Sequence, residues 1–133
     1  MEEMREEMIG REISGCESLI MKIVWDTEGD VSTQDLIRIL NERFGKDYAR
    51  TTVVTFVQRL RNKGFVSTYR IGRASFVHAE KTEEEYTQNL MGQQADFWFK
   101  GSESKLVAAL CKQRSISEEE VAKIKEILDG LDD

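Results

Sequence analysis

The hydrophobic pattern of this chain changes its period at Gly64. In residues 49–63 apolar side chains recur at helical spacing, about 100° per residue, and form one stripe. The stripe consists of Val53, Phe56, Val57 and Leu60. Residues 65–79 instead alternate with a period of two around a turn at Gly72 and Arg73, which is typical of a β-hairpin. The sequence therefore predicts a helix with one core-facing side, followed directly by a hairpin.

Capping sequences mark the starts of the other helices. In each, a hydroxyl and a carboxylate three residues later satisfy free amide groups of the first turn. The pairs are Ser14 with Glu17, Thr82 with Glu85, Ser117 with Glu120 and, more weakly, Ser32 with Asp35. With the apolar periodicity they predict helices over residues 15–26, 33–44, 83–100, 103–113 and 118–131, and a very short strand at Val31. Three short helices followed by a hairpin is the order of a winged helix-turn-helix, in which the hairpin is the wing.

Basic residues are concentrated in the predicted third helix, the wing and the loop before them. Between Arg43 and Arg73 there are eight basic residues and one acid, Asp47, whereas the whole chain has a formal net charge of −6. The outward side of the helix at 49–63 carries hydroxyl, amide and guanidinium groups and no acid. Positive charge confined to one segment of an acidic protein is expected for contact with a polyanion.

These groups form a candidate site for double-stranded DNA. Side chains of the helix suit the edges of base pairs in the major groove, and arginines of the wing are expected to hold phosphates or reach the minor groove. The predicted site consists of Arg50, Thr51, Thr52, Thr55, Gln58, Arg59, Arg70 and Arg73. Two alternatives stay open. The outer face of the helix is merely solvated, or the winged helix binds an acidic protein surface and no nucleic acid.

The C-terminal segment predicts self-association. Its three short amphipathic helices are too few and too small to make a stable separate domain, so a second copy of the chain is the simplest way to cover them. The alternative is that they pack back on their own winged helix. Two recognition helices held about one helical turn of DNA apart would read a palindromic site. The predicted dimerisation residues are Tyr86, Leu90, Phe97, Trp98, Leu106, Val107, Leu110, Ile124, Ile127 and Leu128.

The predicted fold is therefore mainly α with a small β-hairpin wing: a winged helix-turn-helix followed by a C-terminal helical dimerisation region. Residues 1–12 are expected to form an acidic N-terminal extension, residues 13–80 the winged-helix DNA-binding domain and residues 81–133 the helical dimerisation region.

The composition argues against catalysis, metals and membranes. Cys16 and Cys111 lie far apart among apolar neighbours and are expected to be reduced, and with His78 they cannot assemble a zinc site of three or four ligands. No paired acids, nucleophile constellation or phosphate-cradling glycine loop is recognisable, so neither an enzyme nor a cofactor is expected. No apolar run approaches the roughly 18 residues of a membrane span, and the N-terminus lacks the layout of a secretion signal. A cytoplasmic protein is expected.

The sequence resembles a known family in residues 13–17, 20–26, 50–66 and 69–79. These runs are similar to the penicillinase-repressor family, also called BlaI/MecI/CopY, and the similarity extends from about residue 13 to residue 131. The resemblance implies a bacterial winged-helix repressor that dimerises through its C-terminal helices and binds a palindromic operator. It also implies base-reading and backbone-contacting positions for Thr51, Thr52 and Thr55, and phosphate contacts for Arg50, Arg59 and Arg73.

Two features depart from particular branches of that family. Copper-responsive members have clustered C-terminal cysteines, whereas this C-terminal part has only Cys111, so copper sensing is not expected. In β-lactam-responsive members a sensor protease cuts an Asn-Phe bond in the dimerisation region, and the matching position here is Ala109-Leu110. A sensor protease remains a candidate partner, but it would need different sequence preferences.

Overall fold

A computed structural model of the chain describes residues 12–131. The predicted acidic extension over residues 1–12 lies outside the described residues, except for Glu12. The elements are α1 (Gly15–Asp26), β1 (Val31–Ser32), α2 (Thr33–Phe44), α3 (Arg50–Asn62), β2 (Val66–Ile71), β3 (Ala74–Ala79), α4 (Glu83–Phe99), α5 (Glu103–Arg114) and α6 (Glu118–Gly130). This order confirms the predicted mainly-α class with a β-hairpin wing. Within residues 12–131, no helix is both long and apolar enough to cross a bilayer.

Side-chain caps begin the helices where the sequence predicted them. At α1 the capping box is complete, because Ser14 Oγ accepts from the Glu17 amide at 3.2 Å while Glu17 Oε1 accepts from the Ser14 amide at 3.0 Å. Each such cap satisfies donors that the first helical turn leaves free, and a cap of this kind stabilises a helix by about 1 kcal/mol. The other predicted hydroxyl caps, each bonded to the amide three residues later, are Ser32, Thr82 and Ser117, and Ser102 forms a further cap that was not predicted.

The sheet has three antiparallel strands in the order β1-β3-β2. β1 pairs with β3 through Val31 opposite Val77 and Ser32 opposite Phe76, whereas β2 pairs with β3 along its whole length. The wing, residues 66–79, is therefore supported by a third strand only at its base. Gly72 closes the hairpin with φ +61°, and Arg73 is not left-handed, as expected for the two central residues of a type II′ turn.

The hydrophobic core lies between α1, α2, α3 and one face of this sheet. The apolar stripe of α3 is confirmed as its core-facing side, since Val53, Val57 and Leu60 are buried and Phe56 packs partly against the core. Full burial of one such side chain stabilises the fold by about 1.5–3 kcal/mol. The other fully buried apolar residues include Ile20, Met21, Leu36, Leu40, Phe65 and Val77. This packing fixes which side of α3 faces away from the protein.

The chain forms two compact units that divide between Met91 and Gly92, within α4. In the first unit, Tyr86 near the start of α4 packs against the rings of Trp25 and Phe65, at centroid distances of 5.8 Å and 5.4 Å. The second unit contains the rest of α4 with α5 and α6, and neither α5 nor α6 contributes a buried residue. The division between a DNA-binding domain ending at residue 80 and a dimerisation region beginning at residue 81 stays a prediction.

Candidate nucleic-acid interface

The outward side of α3 presents a continuous polar surface. Thr51, Thr55, Gln58 and Arg59 are exposed and Thr52 is half-buried, while Val54 is 44% exposed beside them. This surface contains no carboxylate, since α3 has no acidic residue. Short hydroxyl, methyl and amide groups on a rigid helix can approach base edges closely.

The hydroxyl of Thr55 has a defined orientation. Its Oγ1 donates to the carbonyl oxygen of Thr51 one turn earlier, at 2.9 Å. Because the hydroxyl proton is used within the helix, the exposed oxygen can still accept a hydrogen bond, and the methyl group can make apolar contact. The side chain therefore suits a base edge that offers an amino donor, or the methyl group of thymine.

The first turn of α3 has no side-chain cap. Its N-cap residue is Ala49, and the amides of Thr52 and Val53 both turn back to the Ala49 carbonyl oxygen, at 3.1 Å and 3.2 Å. The amides of Arg50 and Thr51 have no partner among residues 12–131. All five of the other described helices begin with a serine or threonine cap. Free amides at a positive helix end are suited to an anion such as a phosphate oxygen.

Two arginines of the wing extend this surface. Because side chains alternate along a strand, Arg70 lies on the same face as Thr68, the face that meets α3, and opposite Ser75. Arg73 is exposed in the turn that follows Gly72. The wing's other face carries Tyr69, whose ring stacks on Phe76 at 5.4 Å.

The ion pairs of the protein separate the basic residues into two groups. Lys63 pairs with the buried Glu17 at 3.1 Å, and Arg43 pairs with Asp26 at 2.7 Å. In contrast, none of the five arginines of α3 and the wing forms an ion pair within residues 12–131: Arg50, Arg59, Arg61, Arg70 and Arg73. Arg59 instead lies over the ring of Phe56, at 5.9 Å from its centroid. In the first unit, the described arginines without an ion pair are therefore all on α3 and the wing, and the other described arginine without one is Arg114 at the end of α5.

A cleft of about 120 Å³ lies between α3, the wing and the start of α2. Gln58 is the only predicted site residue that lines it, together with Thr33, Val54, Val57, Arg61, Thr68 and Ser75. Across one side of the cleft, Arg61 Nη1 donates to Thr68 Oγ1 at 3.2 Å. Arg61 and Thr68 are not among the predicted site residues. Arg61 is one of the basic residues between Arg43 and Arg73, but its hydrogen bond from α3 to the wing is visible only in the structure.

The predicted dimerisation residues have different environments. Tyr86 is engaged in the first unit by Trp25 and Phe65. In the second unit Phe97 and Trp98 form an edge-to-face pair at 4.7 Å, and both remain about half exposed or more. Leu90, Leu106 and Ile124 are half-buried, whereas Val107, Leu110, Ile127 and Leu128 are exposed.

Residues outside the predicted site make structural contacts. Both cysteines are free thiols of intermediate exposure, and Cys16 Sγ lies 3.0 Å from the Tyr48 hydroxyl. His78 is bound to Asp30 through Nδ1 at 2.7 Å. Over residues 12–131, no three side chains of His, Cys, Asp or Glu are grouped so that they could hold a metal ion.

Comparison with known proteins identifies related sequences. A family model described as penicillinase repressor matches residues 13–130. An uncharacterised 16.5 kDa protein from the ptsI 3′ region of Latilactobacillus sakei is 29% identical over 117 residues, covering 88% of this chain and 78% of that protein. Among solved structures, the DNA-binding domain of the repressor BlaI is 25% identical with a TM-score of 0.49, covering 58% of this chain and 90% of that one. A MarR family protein from Bacillus stearothermophilus is 21% identical with a TM-score of 0.51, covering 98% of this chain and 80% of that one.

Proposed function

The chain belongs to the penicillinase repressor family, and on that premise we propose that it is a homodimeric repressor that grips a palindromic operator with α3 and the wing. Membership makes the chain a DNA-binding transcriptional regulator, in a family of repressors and not of enzymes. The proposal adds the residues that contact DNA, the symmetry of the site and the state of assembly.

The acid-free face of α3, bordered by unpaired arginines, supports the proposal most directly. In our assignment, α3 lies in the major groove with Thr51, Thr52, Thr55 and Gln58 towards the base edges. An amide side chain such as that of Gln58 can bond adenine through both of its polar atoms. The free amides of Arg50 and Thr51 would receive a phosphate at the start of the helix.

The remaining cations of the site would bind the phosphate backbone. Arg50 and Arg59 are exposed on α3, and Arg70 and Arg73 are exposed in the wing. These guanidinium groups form no ion pair with the described residues of the free protein, so binding a phosphate does not require one to be broken. These contacts would set affinity and register, whereas the hydroxyl and amide groups of α3 would set sequence preference.

The second unit supports assembly as a dimer. Large apolar side chains on α4, α5 and α6 stay exposed, among them Trp98 at 66% and Ile127 at 64%. A monomer seldom leaves so many large apolar groups in contact with water on so small a unit. A second copy that covers them would create a two-fold axis, and two α3 helices related by that axis would read a palindrome.

Release from DNA by a sensor protease is a further part of this proposal. The bond between Ala109 and Leu110 lies inside α5, and Leu110 is exposed at 52%. A cut there would divide the second unit and remove α6 from the proposed interface. Since the bond is helical, α5 would have to open locally before cleavage.

The test is a gel-shift titration of the full chain on a duplex from its own promoter region, with excess unrelated DNA at physiological salt. Retention of the labelled duplex is expected, and an inverted-repeat footprint should mark the operator. A winged-helix module that binds only acidic proteins would leave the duplex unshifted. That outcome would reject the proposal in favour of this alternative, which the basic surface alone also allows.

A further inference from the structure

We propose that Asp30 is a positioning residue that fixes the wing against the rest of the winged helix, so that Arg70 and Arg73 are presented to DNA in one orientation. The use of the wing on DNA rests on the proposed function, whereas the fixing of the wing is a property of the protein alone. Asp30 precedes β1 and is not part of the surface assigned to DNA.

The carboxylate of Asp30 is bound by both strands of the wing. The hydroxyl of Tyr69 on β2 donates to Asp30 Oδ2 at 2.6 Å, and His78 Nδ1 on β3 lies 2.7 Å from Asp30 Oδ1. Each carboxylate oxygen is thus bound by a different strand of the wing, Oδ2 by β2 and Oδ1 by β3. Hydrogen bonds to an ionised carboxylate are short and about twice as strong as those between neutral groups.

The register shows why this position is effective. Tyr69 pairs with Phe76, and β1 reaches only as far as Ser32 opposite Phe76. Beyond that pair, residues 70–75 form a two-stranded ribbon, and an isolated two-stranded ribbon is at best marginally stable in water. The orientation of Arg70 and Arg73 therefore depends on what holds the base of the wing.

The base is held from both faces at consecutive residues. Thr68 faces α3 and accepts a hydrogen bond from Arg61 at 3.2 Å, while Tyr69 faces the other way and donates to Asp30. Two restraints on opposite faces oppose rotation of β2 about its own axis. The Arg61 bond holds β2 alone, whereas the Asp30 carboxylate is bound by both β2 and β3, so we assign the larger effect to Asp30.

The ionisation of the cluster agrees with this geometry. The hydrogen bond from Tyr69, followed by that from His78, lowers the pKa of Asp30, so the carboxylate is ionised at neutral pH. The same hydrogen bond raises the pKa of Tyr69, which keeps the phenol protonated as a donor. Asp30 is thus a permanent acceptor between two strands.

The test is a double-mutant cycle on the full chain. The probe is a labelled duplex recovered from random DNA by selection with the wild-type protein. Asp30→Ala is expected to weaken binding roughly tenfold in the wild-type background but only about twofold when Arg73→Ala is already present, because Asp30 acts on binding through the position of the Arg73 side chain. Asp26→Ala is the matched control, since it removes a carboxylate at the end of α1, four residues before Asp30, that pairs with Arg43 instead of the wing. It should have the same effect in both backgrounds.

Amide hydrogen exchange of the DNA-free protein gives a second, independent readout. Asp30→Ala should accelerate exchange in residues 66–79 and leave α1 and α2 unchanged, whereas general loss of stability would accelerate all of them. Equal loss of affinity in both backgrounds, or wing exchange identical to wild type, overturns the proposal. If Arg73→Ala alone leaves affinity unchanged, the proposed wing contact with DNA fails, and the exchange rates then decide whether Asp30 fixes the wing.

Discussion

The ammonium of Lys63 lies 3.1 Å from Oε1 of Glu17, and this contact ties the end of α3 to the start of α1. Glu17 is 2% exposed and also completes the capping box with Ser14. Burial raises the pKa of Glu17, but the hydrogen bonds from Ser14 and the ammonium of Lys63 outweigh it and hold the pKa below the ordinary 4.5. Lys63 is part of the basic segment, but its ammonium group stabilises the fold by pairing with the buried Glu17.

Lys63→Met should lower the stability of the protein without changing how DNA binding depends on salt. The variant leaves a buried carboxylate without its cation, which we expect to cost about 1–2 kcal/mol because the lysine head is partly solvated. Urea denaturation measures the change. Arg38→Met, which breaks the exposed pair with Glu42, is the control and should change stability by less than about 0.5 kcal/mol. If Lys63→Met clearly reduced the slope of log DNA affinity against log salt concentration, Lys63 would instead contact a phosphate of the DNA.

Thr55→Val should relax sequence preference at one position of each half-site. Valine keeps a methyl group but removes the oxygen that can accept from a base, so discrimination of about 1–3 kcal/mol is expected to disappear there. Selection from random duplexes, repeated with each variant, measures it. Thr87→Val is the matched control, because Thr87 Oγ1 makes the same bond to the carbonyl four residues earlier, at 2.9 Å, on α4. An unchanged selected sequence for Thr55→Val would remove Thr55 from the reading surface.

Arg73→Ala should weaken binding to all duplexes by a similar factor. Each phosphate neutralised contributes about 0.9 to the slope of log affinity against log salt, so the slope should become shallower by about that amount. Titrations of a specific and a random duplex over a series of salt concentrations measure both effects. If only the specific duplex loses affinity, Arg73 reads bases and does not hold a phosphate.

Leu110→Glu should dissociate the proposed dimer. Leu110 is exposed in the single chain, so a carboxylate there costs little in the monomer but would be desolvated in an interface. Sedimentation velocity should show loss of the dimer, with operator affinity falling at the same time. Ala108→Glu places the same charge on an exposed position of α5, about 200° around the helix from Leu110, and should leave the dimer intact. Dimers that persist in Leu110→Glu would remove this residue from the interface.

His78 should titrate above its ordinary pKa of 6.5, because the hydrogen bond and the charge of Asp30 favour the imidazolium. The stability from this pair should be complete below pH 6.5 and be lost as the pH rises through the higher pKa of the folded protein. NMR can follow the ring directly, since His78 is the only histidine of the chain. Asp30→Asn should bring the pKa back towards 6.5. An unshifted His78 in the wild type would contradict the ion pair.

The sequence was sufficient for elements whose causes are local. Ser14 with Glu17 predicted the start of α1, and the stripe containing Val53 and Leu60 predicted the buried side of α3, because caps and periodicity act within a few residues. Contacts between distant residues were not predictable in this way. Asp30 meets Tyr69 and His78 across 39 and 48 positions, and nothing in the local pattern marks it.

Tyr86 illustrates the same limit. Its spacing matched the apolar residues of the C-terminal helices, but its ring lies against Trp25 and Phe65 in the first unit. Periodicity reports that a residue has an apolar side to bury, and it does not report which partner buries it. The wing is the opposite case, since alternation with a period of two predicted a hairpin turning at Gly72 and Arg73, and the pairing of Ile71 with Ala74 confirms that turn.

Because the first turn of α3 has no side-chain cap, its hydrogen bonds are incomplete in the DNA-free protein. At the other helix starts in residues 12–131, a serine or threonine side chain accepts a hydrogen bond from the first turn. At α3 the amides of Arg50 and Thr51 are free to donate to an oxygen of a bound molecule. Occupancy by a phosphate would supply that atom, so docking and the tightening of the turn would be a single event. Protection of the Arg50 and Thr51 amides on complex formation would be its signature.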